Sequence, residues 1–269
     1  FIKRVESLYP ADMDDEELIN KYGLMEKNEA IKNIHKPTNR RNYLLARNRL
    51  VFEEFLIFQL AIFLMKKDDD VSKGVSLKVD NRIFDFIDSL PFELTKGQDK
   101  VLKEIFDDLS SEKRMNRLLQ GDVGSGKTII AIIAMYLSYL NGYQSTIMAP
   151  TEILARQHLE SFRELLEPLG VNIELLVGST TKKNKERILE ELKDGIIHIL
   201  IGTHALIEDN VEFKNLGLNV TDEQHRFGVR QRQNLNTKEK DAHTLVMSAT
   251  PIPRTLALIL YGDLSISTI

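Results

Sequence analysis

Eight consecutive residues, Gly121-Asp122-Val123-Gly124-Ser125-Gly126-Lys127-Thr128, fit the pattern G-x-x-x-x-G-K-[ST] of a loop that cradles phosphates. Three glycines let the backbone curl so that several N–H groups converge on one anion, and a helix starting at the end of the loop adds partial positive charge there. Lys127 can reach the outer phosphates of a nucleoside triphosphate, and the Thr128 hydroxyl can coordinate magnesium. An acidic pair, Asp222-Glu223, follows about 95 residues later, after the run Leu216 to Thr221. In that order Asp222 can hold the magnesium shell, while Glu223 orients or deprotonates an attacking water. The six histidines show no metal-ligand spacing and cysteine is absent, so magnesium carried by the nucleotide is the expected metal.

These groups work only if the chain brings them to one place. Met115 to Gln120 reads as a short strand entering the loop, and Ile129 to Leu140 as an apolar helix leaving it, stopped by Asn141-Gly142. From Pro91 onward helix and strand alternate. Thr95 caps a helix reaching Leu109, and strands near 115–120, 145–149, 172–177, 197–201, 216–222 and 243–248 alternate with helices near 127–140, 151–167 and 181–193. Short apolar strands separated by helices predict a parallel sheet covered on both faces, whose carboxyl edge carries the ligand. The run Leu218-Asn219-Val220-Thr221 is less apolar than a central strand usually is, so Asn219 is expected either to have a hydrogen-bond partner or to lie near the sheet's edge.

Residues 1–90 read as helical, with one helix from near Asp14 to Tyr22. A longer one opens at Pro37-Thr38, with Leu44, Leu45, Val51, Phe52, Phe55, Leu56, Leu60 and Phe63 at helical spacing. Lys32, Lys36, Arg40, Arg41, Arg47 and Arg49 make its early part basic, either as a solvated face or as a phosphate contact. The polar stretch Lys66 to Lys78 is the expected linker to a second domain over 91–269.

The net charge of −4 excludes a uniformly basic surface, so any nucleic-acid contact is local. The most apolar stretch, Phe55 to Met65, is about half the roughly 20 residues that a membrane span needs. No membrane contact is expected. The lack of cysteine fits a reducing, cytoplasmic setting. Phe1 in first place and the absence of a signal-peptide core suggest an internal piece of a longer protein.

Several motifs in order resemble one family. Asp222-Glu223-Gln224-His225-Arg226-Phe227-Gly228-Val229 and Ser248-Ala249-Thr250-Pro251-Ile252-Pro253-Arg254-Thr255 are similar to the RecG branch of the superfamily 2 DNA helicases. So are Leu90-Pro91-Phe92-Glu93-Leu94-Thr95, Asn116-Arg117-Leu118-Leu119-Gln120 and Gly202-Thr203-His204-Ala205-Leu206, and more weakly the stretch from Ala30 to Met65. Gln224 after the acidic pair favours this branch over the similar motors of transcription-repair coupling factors. Lys96-Gly97 depart from the Gly-Ala usual before the family's glutamine.

The resemblance implies an α/β fold: a RecA-like parallel sheet with helices on both faces, preceded by a small helical region, with 91–269 as the first ATPase lobe. It implies ATP and Mg2+ as cofactors and an ATP-dependent helicase or translocase, monomeric, that remodels branched or forked DNA. Phe92 would stack on adenine and Gln98 would hydrogen-bond it. Pro150 and Thr151, at a helix start, and Thr203 with His204 would contact the nucleic-acid backbone. Ser248 and Thr250 would couple nucleotide state to DNA grip through His225. A second motor lobe beyond Ile269, and an oligonucleotide-binding wedge whose tail falls at Phe1 to Pro10, are implied as well, so the piece alone is expected to hydrolyse ATP barely. From the residues alone, an NTPase serving transport or assembly and a non-catalytic nucleic-acid-binding module both stay open.

Overall fold

The alternation of capped helices and short apolar runs becomes one parallel sheet in the computed structural model of the protein, which describes residues 15–69, 73–208, 210–222, 241–249 and 264–269. The described residues form two compact units, one up to Asp69 and one from Lys73 onward.

The first unit is helical. It contains α1 (Asp15–Tyr22), α2 (Lys27–His35) and α3 (Arg40–Asp69). The Glu26 carboxylate starts α2 by accepting from the backbone N–H groups of Asn28 and Glu29 at 3.0 and 2.9 Å. Ala30 and Ala46 are fully buried, and Lys27 of α2 pairs with Glu53 of α3 at 2.5 Å. Of the six basic residues marked in the sequence, Lys32, Lys36, Arg40, Arg41 and Arg47 are exposed, whereas Arg49 is buried beside Glu53 at 3.8 Å.

In the second unit the extended stretch 73–80 leads into α4 (Asn81–Asp88). The expected linker thus divides: its start continues α3 and its end packs with the sheet. Leu77 N–H donates to the carbonyl of Leu109 at 2.8 Å, and Leu77, Ile83, Phe86 and Leu90 belong to the sheet's own core. Beyond α4 come α5 (Lys96–Ser110), β1 (Asn116–Gln120), α6 (Lys127–Leu140), β2 (Gln144–Met148), α7 (Glu152–Leu166) and β3 (Ile173–Leu176). They are followed by α8 (Lys182–Asp194), β4 (Ile199–Gly202), β5 (Leu216–Asp222), β6 (His243–Ser248) and β7 (Ser265–Thr268). The sheet order is β3-β4-β2-β5-β6-β1-β7, and every pair is parallel.

Alternate strand residues face opposite ways, so two cores are needed. Ile199 and Ile201 join the larger core with Leu218, Val220, Leu245 and Met247, whereas Leu200 between them joins a smaller core with Met148, Ile188 and Leu192. Helix α6 is buried at every position from Ile129 to Ser138, as its apolar composition demands of a central helix. Gly217 makes room for its neighbours: a Cβ there would lie 2.6 Å from Tyr143 Cβ and 3.0 Å from Ser138 Oγ.

β5 is central, between β2 and β6, and all seven of its residues are buried. Asn219 meets neither sequence expectation. It is 3% exposed, away from the edge, and among the described residues its Oδ1 has no hydrogen-bond partner. Such an orphan costs about 1–3 kcal/mol, which the flanking Leu218 and Val220 offset by burial.

His243, at the start of β6, is held neutral. Its Nδ1 accepts from Met115 N–H at 2.9 Å, its Nε2–H donates to the Val75 carbonyl, and burial pushes its pKa below the ordinary 6.5 against the pull of that carbonyl and Asp108. Burial lowers His198 as well. As pH falls the unfolded chain takes up these protons first, so their stabilisation is complete above about pH 6.5 and is lost below it. Unfolding free energies from denaturant titrations between about pH 8 and about pH 5 are expected to fall by up to about 1.4 kcal/mol per pH unit for the buried His243, and by less for the half-buried His198. The variant His243→Gln should flatten that slope; an unchanged slope would contradict the assignment.

Candidate nucleotide-binding site

The strand register assembles the site. Gln120 at the end of β1 pairs with Ser248, the last residue of β6; Met247 pairs with Asp222, the last residue of β5; Thr221 pairs with Met148, which pairs with Gly202. The loop after Gln120, Asp222, Ser248, Pro150 and Thr203 therefore all leave the sheet at its carboxyl edge. At about 4.8 Å per strand, β1 and β5 are roughly 10 Å apart, a gap that a triphosphate with its metal can bridge.

Within the phosphate loop, Gly124 (φ +80°) and Gly126 (φ +84°) adopt the left-handed conformation that side chains resist. Gly126 also lies against Gln98, whose Nε2 would be 2.3 Å from an added Cβ. Helix α6 starts at this glycine without a side-chain cap, which leaves its first amides suited to an anion. Lys127 Nζ donates to the carbonyls of Gly121 and Asp122, both at 2.8 Å, so the lysine sits over the loop that it is expected to serve. Ser125 Oγ is buried and, among the described residues, has no hydrogen-bond partner. A curled backbone, uncapped helix amides, a lysine and an orphan hydroxyl together fit a phosphate chain. Asp122, Val123 and Gly124 are exposed, and Thr128 is half-buried at the head of α6.

The two expected adenine contacts differ in standing. Phe92 is exposed, with 49% of its surface in solvent, as a stacking platform requires. Gln98 is buried and both ends of its amide are engaged. Its Oε1 accepts from Thr95 N–H at 2.8 Å in a capping box, and its Nε2 donates to the carbonyl of Ser125 at 2.9 Å. In this structure it ties the start of α5 to the phosphate loop rather than presenting an open amide to a base.

Thr151 caps α7 through Leu154 N–H at 3.3 Å, next to the half-buried Pro150. The Ser179 hydroxyl and Arg156 hold the neighbouring Glu152 carboxyl below the ordinary carboxylate range. Thr203 is half-buried after β4, and His204 is exposed. Ser248 is buried, and its carbonyl accepts from Gly121 N–H at 3.2 Å, a direct backbone link between β6 and the phosphate loop. Glu223, His225 and Thr250 lie outside the described residues.

Sequence reasoning missed one contact. His158 Nε2 lies 2.9 Å from Asp222 Oδ2, with both residues buried. The signal was present: on α7 the buried positions are Ala155, His158, Phe162 and Leu166, a stripe in which the histidine is the only polar residue. Among the described residues no helix is long and apolar enough to cross a membrane.

The profile of the DEAD/DEAH box helicase family matches residues 95–259. The ATP-dependent DNA helicase RecG of Bacillus subtilis is 48% identical over 274 aligned residues, covering 100% of this chain and 40% of that protein. RecG of Aquifex aeolicus is 50% identical, covering 98% of this chain and 35% of that protein. The chain thus spans less than half the length of these relatives. A solved structure of RecG bound to a three-way DNA junction superposes with a TM-score of 0.80 at 44% identity, over 94% of this chain and 34% of that one. The UvsW helicase of bacteriophage T4 shares the fold alone, with a TM-score of 0.56 at 15% identity.

Proposed function

This chain belongs to the DEAD/DEAH box helicase family, and on that premise we propose that it is the first motor lobe of an ATP-dependent DNA helicase of the RecG type, remodelling branched or forked DNA. The observation that carries the proposal is the register that aligns Gln120 with Ser248 and Met247 with Asp222, because it gathers the phosphate loop and the acidic strand end at one edge. The near-half identity to RecG proteins along the whole chain supports the choice of substrate.

In this reading the loop amides and Lys127 hold the outer phosphates of ATP. Thr128 and Asp222 would hold Mg2+, which would supply positive charge against the charge developing on the phosphates. Glu223 orients or deprotonates the attacking water. Ser248 passes changes at Gly121 along β6 through the backbone hydrogen bond between them. Thr151, Thr203 and His204 hold nucleic-acid phosphates at the same edge and so read no base sequence. Phe92 supports the adenine, and Gln98 reaches it only by releasing the Ser125 carbonyl. The proposal includes a second lobe that completes hydrolysis, a wedge domain that splits the junction, a monomeric state and a cytoplasmic setting.

The test is the ATPase rate of the intact protein with forked DNA, plain duplex, single strands and RNA. Forks are expected to stimulate most. Stimulation by RNA with none by forks would overturn the substrate, and indifference to every nucleic acid would overturn the helicase reading.

A further inference from the structure

His158 sits where a polar side chain needs a reason. The helix face it shares with Ala155, Phe162 and Leu166 is apolar, and a buried imidazole without a partner would cost several kcal/mol. Its partner comes from a different element 64 residues away, the Asp222 carboxylate at the end of β5, at 2.9 Å. The Phe162 ring stands edge-on to the imidazole at 6.3 Å and 80°, so the ring plane is set by packing on the same helix.

We propose that His158 is a positioning residue for the metal carboxylate: its Nε2–H donates to Asp222 Oδ2 and fixes the plane in which the other oxygen is presented to nucleotide-borne magnesium. The inference rests on the reading of Asp222 as a magnesium ligand. The terminal torsion of an aspartate is broad and has no sharp minimum of its own, so an unanchored carboxylate samples many directions. A hydrogen bond to an ionised acceptor is short and strong enough to select one of them. Partners that orient metal-binding carboxylates in this way alter metal affinity by about 10–100-fold when removed. Helix α7 is also the element whose capped start carries Thr151, two turns from His158 and roughly 10 Å along the axis, so one rigid rod joins the expected DNA contact to the metal carboxylate.

The test uses the intact protein at one fixed pH, with a fluorescent N-methylanthraniloyl derivative of ADP as probe and magnesium as titrant. The measured quantity is the magnesium concentration that half-saturates the metal-dependent part of binding. His158→Leu, which keeps bulk and removes the donor, is expected to raise that concentration by about tenfold while binding in EDTA is unchanged. His158→Gln, whose amide nitrogen can reach Oδ2, is expected to restore it to near the native value even if its melting temperature is lowered. Asp222→Asn, as the control, is expected to raise it at least as far as His158→Leu.

A native magnesium requirement in His158→Leu, with Asp222→Asn shifted, overturns the role of His158 alone. A native requirement in Asp222→Asn overturns the metal assignment and this inference with it. Equal shifts in His158→Leu and His158→Gln that follow their melting temperatures reduce the contact to packing and overturn the proposal too.

Discussion

Replacing Lys127 with alanine is expected to lower the DNA-stimulated ATPase rate by about 10²–10³-fold while leaving the fold intact. The lysine is half-buried, and its described contacts are the two loop carbonyls, of Gly121 and Asp122. Losing two partly hydrated hydrogen bonds costs about 1–3 kcal/mol, within the stability of a domain this size. The transition state loses more, since charge that migrates onto the outer phosphates would lose the lysine beside it. Phosphate release on forked DNA, set beside a melting curve, separates the two effects. A rate within tenfold of the native one at unchanged melting would remove Lys127 from the mechanism. Glu223→Gln is expected to be as inactive, since the water would lose its base.

Phe162→Ala is expected to be the most damaging single change to packing on α7. Phe162 is fully buried in the larger core and, among the described residues, is the largest of the fully buried side chains. Truncations of this kind cost about 3–5 kcal/mol, because the cavity relaxes only in part. For a protein of this length that corresponds to a melting temperature lower by roughly 10 °C. Phe162→Leu should cost under about 1.5 kcal/mol, because most of the volume is kept. Because the ring also borders His158, the alanine variant should need more magnesium for nucleotide binding than its residual fold alone explains. A melting temperature within about 2 °C of the native one would show that the site collapses without loss and that the packing assignment is wrong.

Much of this arrangement is legible in the residues. Six of the seven strands fall within about two residues of their sequence positions, because each is a short run bounded by turns or by a capped helix. β7 does not announce itself. In Ser-Ile-Ser-Thr a single apolar residue leaves no pattern, and its pairing with β1 comes from the register Leu118 with Ile266. The linker was half legible: its polar residues mark a boundary, but Leu77 is drawn into the core by a partner, Leu109, that no local pattern reveals. Asn219 is expected either at an edge or with a partner because composition reports average burial, whereas its strand is central by topology and its Oδ1 has no partner among the described residues. The backbone form of the loop over 121–128, with its left-handed glycines and the helix that follows, could be read outright, since its pattern is local and contiguous. The His158–Asp222 contact could not, because it joins two elements whose separation in sequence says nothing about their adjacency in space.

The sheet order also sets a timetable. The strand that carries the phosphate loop, β1, is flanked by β6 and β7, and its first anchor is the hydrogen bond from Met115 to His243, 128 residues further along the chain. On a ribosome adding about 5–20 residues per second, β1 therefore waits on the order of 10 s for its neighbours, while β2, β3 and β4 can already pair. Nucleotide cannot template the early stages of folding, because the place it would occupy does not yet exist. The apolar helix α6 can pack on β2 during that interval but not yet on β5, so part of its apolar surface stays uncovered until β5 arrives.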